Sequence, residues 1–247
     1  MSLFSKIFAR QSGEVPVCSM IVAAAGSSHR MGGEDKLFLP LEGIPVLART
    51  LMELDRASQV REIVVATRQE LLLPVADLCK QYGISKPVKI IEGGATRVES
   101  VLAAAMECKP DSQLIAVHDG ARPLVEPELV DRVILLAKRT NAAVPAVAVK
   151  DTIKLVDGDR VTETPCRDTL RAIQTPQVFS SVLLRAALQS AVENQAPVTD
   201  DCSAVERLGK EVYLTEGSYE NIKITTPEDM LLASAILQKR GMVSNGY

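Results

Sequence analysis

The stretch Ile21-Val22-Ala23-Ala24-Ala25-Gly26-Ser27-Ser28-His29-Arg30-Met31-Gly32-Gly33, with Lys36 just beyond, decides how this chain is read. An apolar run stops at a turn of small residues, and cations follow. A strand that ends this way can bring backbone N–H groups against a phosphate. Two fixed cations close behind, Arg30 and Lys36, suit a triphosphate. The spacing is neither G-x-G-x-x-G nor G-x-x-x-x-G-K-[ST], so the dinucleotide fingerprint and the Walker loop are both excluded. The bland alternative is an ordinary strand-to-helix turn with surface cations. Arg30-Met31 together with Lys36 weigh against it.

Outward from this stretch, short β-branched runs alternate with longer helical patterns. Strands are expected at 17–24, 62–67, 88–92, 114–118 and 142–149, and helices at 45–57, 69–82, 96–108 and 127–139. That alternation predicts an α/β fold: a Rossmann-like, mostly parallel sheet with helices on both faces. Such sheets bind ligands beyond the carboxyl ends of their strands, so Gly26, Gly93-Gly94 and Asp119 should line one crevice. Residues 151–168 break the rhythm. Polar strands at 152–156 and 160–164 flank Asp157-Gly158-Asp159 and predict a protruding β-hairpin. It is too small to stand alone, and a second subunit is its natural support. An extended stretch at 170–179 follows, then helices at 181–194 and 201–208, strands at 212–215 and 221–225, and a last helix at 227–238. One domain is expected over 15–240, with 1–14 a flexible N-terminal segment and 241–247 a loose tail.

The chain has 247 residues, 47% of them hydrophobic, enough for a sizeable core. Its net charge of −3 gives no basic footprint, so no nucleic-acid partner is expected. An anionic substrate must then be held by local cations rather than by the overall field. No stretch reads as a signal peptide or a membrane span. The five cysteines are odd in number, widely spread and without a C-x-x-C pair. That spacing suits a reducing cytoplasm better than a disulfide framework or a structural zinc.

Further candidates lie at other predicted strand ends. In His118-Asp119-Gly120-Ala121-Arg122-Pro123, Asp119 can hold a divalent metal or a substrate hydroxyl, or simply pair with Arg122. His118 reads as a hydrogen-bonded sheet residue, and His29 has no partner at ligand spacing, so neither is assigned a catalytic role. Gly93-Gly94-Ala95-Thr96-Arg97-Val98-Glu99-Ser100 follows a strand and opens a helix. Its glycines permit close backbone approach, and Ser100 can hydrogen-bond a base edge. Thr96 with Glu99 also fits a purely structural capping box. Asp200 or Asp201 can cap the helix after Thr199. Lys223, between Ile222 and Ile224, should point away from both, toward the crevice.

The loop from Ala24-Ala25-Gly26 to Arg30-Met31 and Lys36 is similar to the signature loop of the sugar-nucleotide nucleotidyltransferases. It is followed in order by Gly93-Gly94-x-x-Arg97-x-x-Ser100, Asp119-x-Ala121-Arg122-Pro123, Asp151-Thr152-x-Lys154, Arg167, Thr175-Pro176-Gln177, Thr199-Asp200 and Asn221-Ile222-Lys223. With that set, nearly the whole chain resembles the 2-C-methyl-D-erythritol 4-phosphate cytidylyltransferase family of the non-mevalonate isoprenoid pathway. The resemblance implies that Ala24, Ala25 and Gly26 wrap the triphosphate of CTP, and that Gly94, Ala95 and Ser100 contact cytosine. It makes Arg30, Lys36 and Lys223 the catalytic cations around the α-phosphate. It places Asp119, Ala121, Arg122, Thr199 and Lys223 around the sugar phosphate, with Asp119 also the candidate ligand for Mg²⁺. It puts Thr152 and Arg167 on an arm that reaches into the partner's site of a homodimer. Two departures matter. Ser27-Ser28-His29 replaces a commonly more glycine-rich stretch, which should stiffen the loop. Ala95 stands where some members carry Asp, which leaves only backbone for the base at that point.

The implied reaction joins CTP to a sugar-alcohol phosphate and releases pyrophosphate. A ribitol 5-phosphate enzyme for cell-wall polymers carries the same motifs, and the residues alone do not separate the two. A non-catalytic nucleotide-binding regulatory subunit is a third reading, since fold does not fix function. The intact Arg30, Lys36, Asp119 and Lys223 argue against it.

Overall fold

The apolar run of the opening stretch forms β1 (Cys18–Ala24), a central strand of the sheet. The computed structural model describes residues 18–26 and 35–241. β1 pairs in parallel with β4 (Val60–Thr67) on one side and with β6 (Leu114–Asp119) on the other, and β5 (Val88–Glu92) extends the β4 side. Beyond β6 lie β11 (Gln177–Ser180), β7 (Ala142–Ala148) and β10 (Arg171–Ile173), with β12 (Tyr213–Glu216) also paired to β7. β11 and β10 run antiparallel to their neighbours, and β12 runs parallel to β7. Six of the eight strands therefore share one direction, so the sheet is mixed but mostly parallel, as expected.

Every residue of β1 except Ala23 is buried, because helices cover both faces of the sheet. Met20 and Val22 face α1 (Val46–Arg56), α2 (Leu72–Gln81) and α4 (Pro127–Thr140) in one cluster. Ile21 faces α3 (Arg97–Glu107), α5 (Ser181–Glu193) and α6 (Asp201–Arg207) in the other. The period of two along the strand thus divides one continuous run between two cores. A smaller cluster seats Ala233, Ile236 and Leu237 of α7 (Pro227–Lys239) against Leu41, Val46, Leu124 and Ile224.

Several expectations need correction. The helix expected from residue 69 begins at Leu72, after a single 3-10 turn at Gln69–Leu71. Pro74 is tolerated because it falls in the first helical turn, where its missing N–H has no intrahelical partner to lose. A two-residue ladder, β2 (Pro40–Leu41) with β3 (Ile44–Pro45), was not expected. The extended 170–179 segment is two strands, with a cis Thr175–Pro176 peptide between them. Residues 221–225 form no strand. Single contacts hold them instead: the Ile224 amide donates to the Ala121 carbonyl at 2.8 Å, and the Asn221 side chain donates to the Thr175 carbonyl. The alternation survives without a ladder, with Ile222 and Ile224 in the α7 core.

Within 151–168, β8 (Leu155–Asp157) pairs with β9 (Arg160–Glu163) around Gly158 at φ 58°, a shorter ladder than expected, since 152–154 lie outside it and Asp157 lies within it. It is less polar than expected, since Leu155, Val156 and Val161 are all about half exposed or more. Residues 1–14 lie outside the described residues, as does the tail after 241.

Candidate functional site

β1, β4, β5 and β6 end together at Ala24, Thr67, Glu92 and Asp119. Beyond those ends lies a cavity of about 450 Å³. Its floor is built by tight backbone approach. A Cβ on Gly93 would stand 2.8 Å from Ala25 Cβ and 2.7 Å from Ser100 Oγ, so this turn requires glycine. The Thr96–Glu99 capping box is present and starts α3 at the cavity edge. Ser100 Oγ donates to the Thr96 carbonyl at 2.8 Å. Its single proton is therefore used, and its lone pairs remain to accept.

Lys36, Arg97 and Lys223 line this cavity, and Asp119 is its one carboxylate among the described residues. Asp119 Oδ2 pairs with Lys223 Nζ at 3.0 Å and Arg122 Nε at 3.4 Å, and Oδ1 lies 4.0 Å from Arg97. Burial would raise this carboxyl, but Lys223, Arg97 and Arg122 outweigh it and hold it at about 2. Arg97 is fixed in turn by a bidentate pair to Asp201 at 3.0 and 2.7 Å. Burial works against the Arg97 charge, yet Asp201, with Asp119 and Asp200 behind it, raises its pKa above the usual guanidinium value.

His118 is fully buried beside Asp119. Its Nε2 meets the Arg122 carbonyl at 3.3 Å, so that nitrogen carries the proton. Nδ1 then accepts from Thr175 Oγ1 at 3.0 Å, and the same oxygen accepts from the Asp119 amide at 3.1 Å. Burial lowers the imidazole to about 4. His118 is thus a neutral sheet residue, as its sequence position suggests. Asn221, also fully buried, donates to the Thr175 carbonyl at 2.9 Å, and its own carbonyl accepts from Arg122 at 2.7 Å. This network fixes the polypeptide two residues before Lys223.

The cavity brings together Ala24, Ala25, Gly26, Lys36, Gly94, Ala95, Ser100, Asp119, Ala121 and Lys223. Arg122 sits behind Asp119 rather than on the cavity wall, held by the ion pair that the bland reading foresaw. Thr199 is exposed beside the Asp200 cap of α6. Thr152 and Arg167 are exposed near the hairpin and do not line the cavity, and the Arg167 guanidinium meets the Lys150 carbonyl at 3.1 Å. Arg30 lies outside the described residues. Arg97 and its anchor Asp201 were not singled out for the site, although Arg97 stands in the quoted Gly-Gly motif. Its signal was a cation at the first turn of a helix, where the dipole disfavours it and a carboxylate must compensate.

Among the described residues no three His, Cys, Asp or Glu cluster as a metal cage. Asp119 alone supplies an oxygen, with Oδ1 the less engaged of its two. That donor set fits a Mg²⁺ ion carried on substrate phosphates and touched by one carboxylate. No described helix is long and apolar enough to cross a membrane.

A family model described as IspD: 2-C-methyl-D-erythritol 4-phosphate cytidylyltransferase matches residues 18–239. A Bacillus cytotoxicus protein named 2-C-methyl-D-erythritol 4-phosphate cytidylyltransferase is 45% identical over 220 residues, 89% of this chain and 97% of that protein. A Halalkalibacterium halodurans protein of the same name is 42% identical over 223 residues, 90% of this chain and 97% of its own. The crystal structure of 4-diphosphocytidyl-2C-methyl-D-erythritol synthase from Anaerococcus prevotii is similar with a TM-score of 0.81 at 32% identity, over 90% of this chain and 96% of that one.

Proposed function

The chain belongs to the 2-C-methyl-D-erythritol 4-phosphate cytidylyltransferase family, and from that premise we propose how its residues carry out the reaction. It is a CTP-dependent cytidylyltransferase of the non-mevalonate isoprenoid pathway. Family membership favours the branched sugar phosphate over ribitol 5-phosphate, and an enzyme over a regulatory subunit. The observation that carries the mechanism is a cavity with three cations facing one carboxylate that stays ionised.

A phosphate oxygen of 2-C-methyl-D-erythritol 4-phosphate attacks the α-phosphorus of CTP. The bond from that phosphorus to its bridging oxygen breaks, and pyrophosphate leaves with the electron pair. The nucleophile is already anionic at neutral pH, so no general base is needed. The obstacle is bringing two anions together. Lys36 and Lys223, with Arg30, offset the repulsion and stabilise charge on the five-coordinate phosphorus. Asp119 holds Lys223 in place and would offer Oδ1 to a Mg²⁺ ion. When bound, that ion neutralises charge on the phosphate oxygens. Ser100 offers a lone pair to the cytosine amino group, and backbone at Gly94 and Ala95 meets the rest of the base edge. Uracil would oppose a carbonyl to that lone pair, which explains the choice of CTP.

The hairpin is read as the arm of a homodimer. Its support is the exposed apolar surface of Leu155, Val156 and Val161 on strands that, among the described residues, pair with each other alone. Arg167 and Thr152 then complete the partner's site. Pyrophosphate release with CTP and 2-C-methyl-D-erythritol 4-phosphate tests the whole reading. Higher kcat/KM with ribitol 5-phosphate, or equal use of UTP, would overturn the substrate assignment. Mixed Arg167→Ala and Lys36→Ala subunits should recover activity that neither has alone, and a monomeric active enzyme would refute the arm.

A further inference from the structure

Arg68 follows directly on β4 and is not part of the cavity wall. Its guanidinium reaches across the chain to both described sides of the opening loop. Nη1 donates to the Gly26 carbonyl at 3.4 Å, and Nη2 donates to Asp35 Oδ2 at 2.6 Å. The third nitrogen, Nε, donates to the exposed Glu70 at 2.7 Å. Asp35 in turn organises the turn that carries Lys36. Its Oδ1 accepts from the Leu37 amide at 3.0 Å, and its carbonyl accepts from the Phe38 amide at 2.9 Å. Leu37 anchors the inner side of this turn, only 4% exposed in the core. Gly26 and Lys36 both line the cavity.

We propose that Arg68 is a positioning residue for the triphosphate side of the cavity: it ties Gly26 to Asp35 and offsets the Asp35 charge beside Lys36. The inference rests on the reading of Gly26 and Lys36 as triphosphate contacts. Two effects follow from one side chain. The cross-link lowers the conformational freedom of the two segments that CTP must find in register. The charge pairing keeps the Asp35 carboxylate from competing with the triphosphate for Lys36. Only a planar guanidinium can serve a carbonyl and two carboxylates from separate nitrogens, so lysine is a partial substitute.

The test is steady-state kinetics on the full chain, with the melting temperature recorded for every variant. Arg68→Met should raise KM for CTP about tenfold while KM for 2-C-methyl-D-erythritol 4-phosphate stays unchanged. Arg68→Lys should raise KM for CTP about threefold, because charge is kept and the two-ended tie is not. Arg68→Met with Asp35→Asn should bind CTP better than Arg68→Met alone, which a purely structural role does not predict. Glu70→Ala, on the solvent side, should match the wild type. An unchanged KM for CTP in Arg68→Met, or an equal rise for both substrates, would overturn the proposal. Calorimetric titration of CTP into the same variants reads the Arg68 effect without turnover. Absence of turnover in the wild type would therefore count against the reaction and leave the Arg68 contact decided by binding.

Discussion

The two ends of the central sheet use the same kinds of side chain to opposite effect. At the N-terminal ends of β1, β4 and β6, Glu62 is 6% exposed and accepts from Ser19 Oγ at 2.5 Å and from the Lys109 amide at 2.7 Å. Ser112 bonds Ser19, and its hydroxyl accepts from Arg61 at 2.9 Å while Arg61 clasps Asp111 at 2.8 and 2.6 Å. Most of the charge and hydrogen bonding there is taken up within the protein, with Arg61 Nε the exception. At the C-terminal ends, Lys36, Arg97 and Lys223 line a cavity, where Asp119 pairs with Lys223 and Asp201 pairs with Arg97. Buried carboxylates and guanidinium groups occur at both ends, so their presence does not mark the site. The mark is a cavity lined by several cations at the carboxyl ends of the parallel strands.

The sharpest way to break this comparison is to remove the cavity cations. Lys36→Ala and Lys223→Ala should each lower kcat by roughly 10²–10³, the usual effect of deleting one donor aimed at developing charge. Melting temperature should change little for Lys36→Ala. Near-normal turnover by both folded variants would show that the cavity cations are not catalytic. Lys36→Arg should recover only part of the rate, since the guanidinium presents a different geometry.

Next in size is an effect of pH on folding that belongs to the C-terminal end alone. His118 falls to about 4 in the folded chain from an ordinary 6.5. Between those values the unfolded chain takes up a proton that the folded chain refuses. Stability is therefore full above pH 6.5 and falls as pH drops toward 4, by about 3 kcal/mol over the window. Asp119 acts in a separate, lower window: its contribution is present above 3.8 and is lost as pH falls through about 2. Urea denaturation at pH 7, 5.5 and 4.5 should show the first loss in the wild type and a shallower one in His118→Asn. Parallel curves would mean that the imidazole does not set the slope.

What the sequence made legible follows the same divide. β1 and the strands beside it were readable because burial on both faces demands continuous apolar runs. Ala24 to Gly26 and Asp119 were readable because they sit at the ends of those runs, and Lys36 because it follows the first of them as part of one motif. Lys223 was placed toward the cavity by alternation even though its segment forms no ladder. Arg68, Asp201 and Asn221 could not be read. Each acts through a partner far away in sequence, Asp35, Arg97 and Thr175 respectively, and no local spacing encodes such pairings. The β2–β3 ladder escaped for another reason: two residues per strand are too few to show a period.

The smallest expected effect comes from the closed end. Glu62→Ala removes an acceptor from the buried Ser19 hydroxyl, which still reaches Ser112, and from the part-buried Lys109 amide. Leaving such groups unsatisfied costs about 1–3 kcal/mol of folding stability. Glu62→Gln keeps an oxygen that both donors can reach, so its loss should be under about 1 kcal/mol. Neither variant should alter kcat or either KM, because β1 and β4 carry the change only through their own rigid pairing, and the cavity lies at their opposite ends. Chemical denaturation gives the first quantity and the pyrophosphate assay the second. A kcat that fell along with stability in Glu62→Gln would show that the two ends are coupled. The division between a closed network that stabilises and an open one that works would then be wrong.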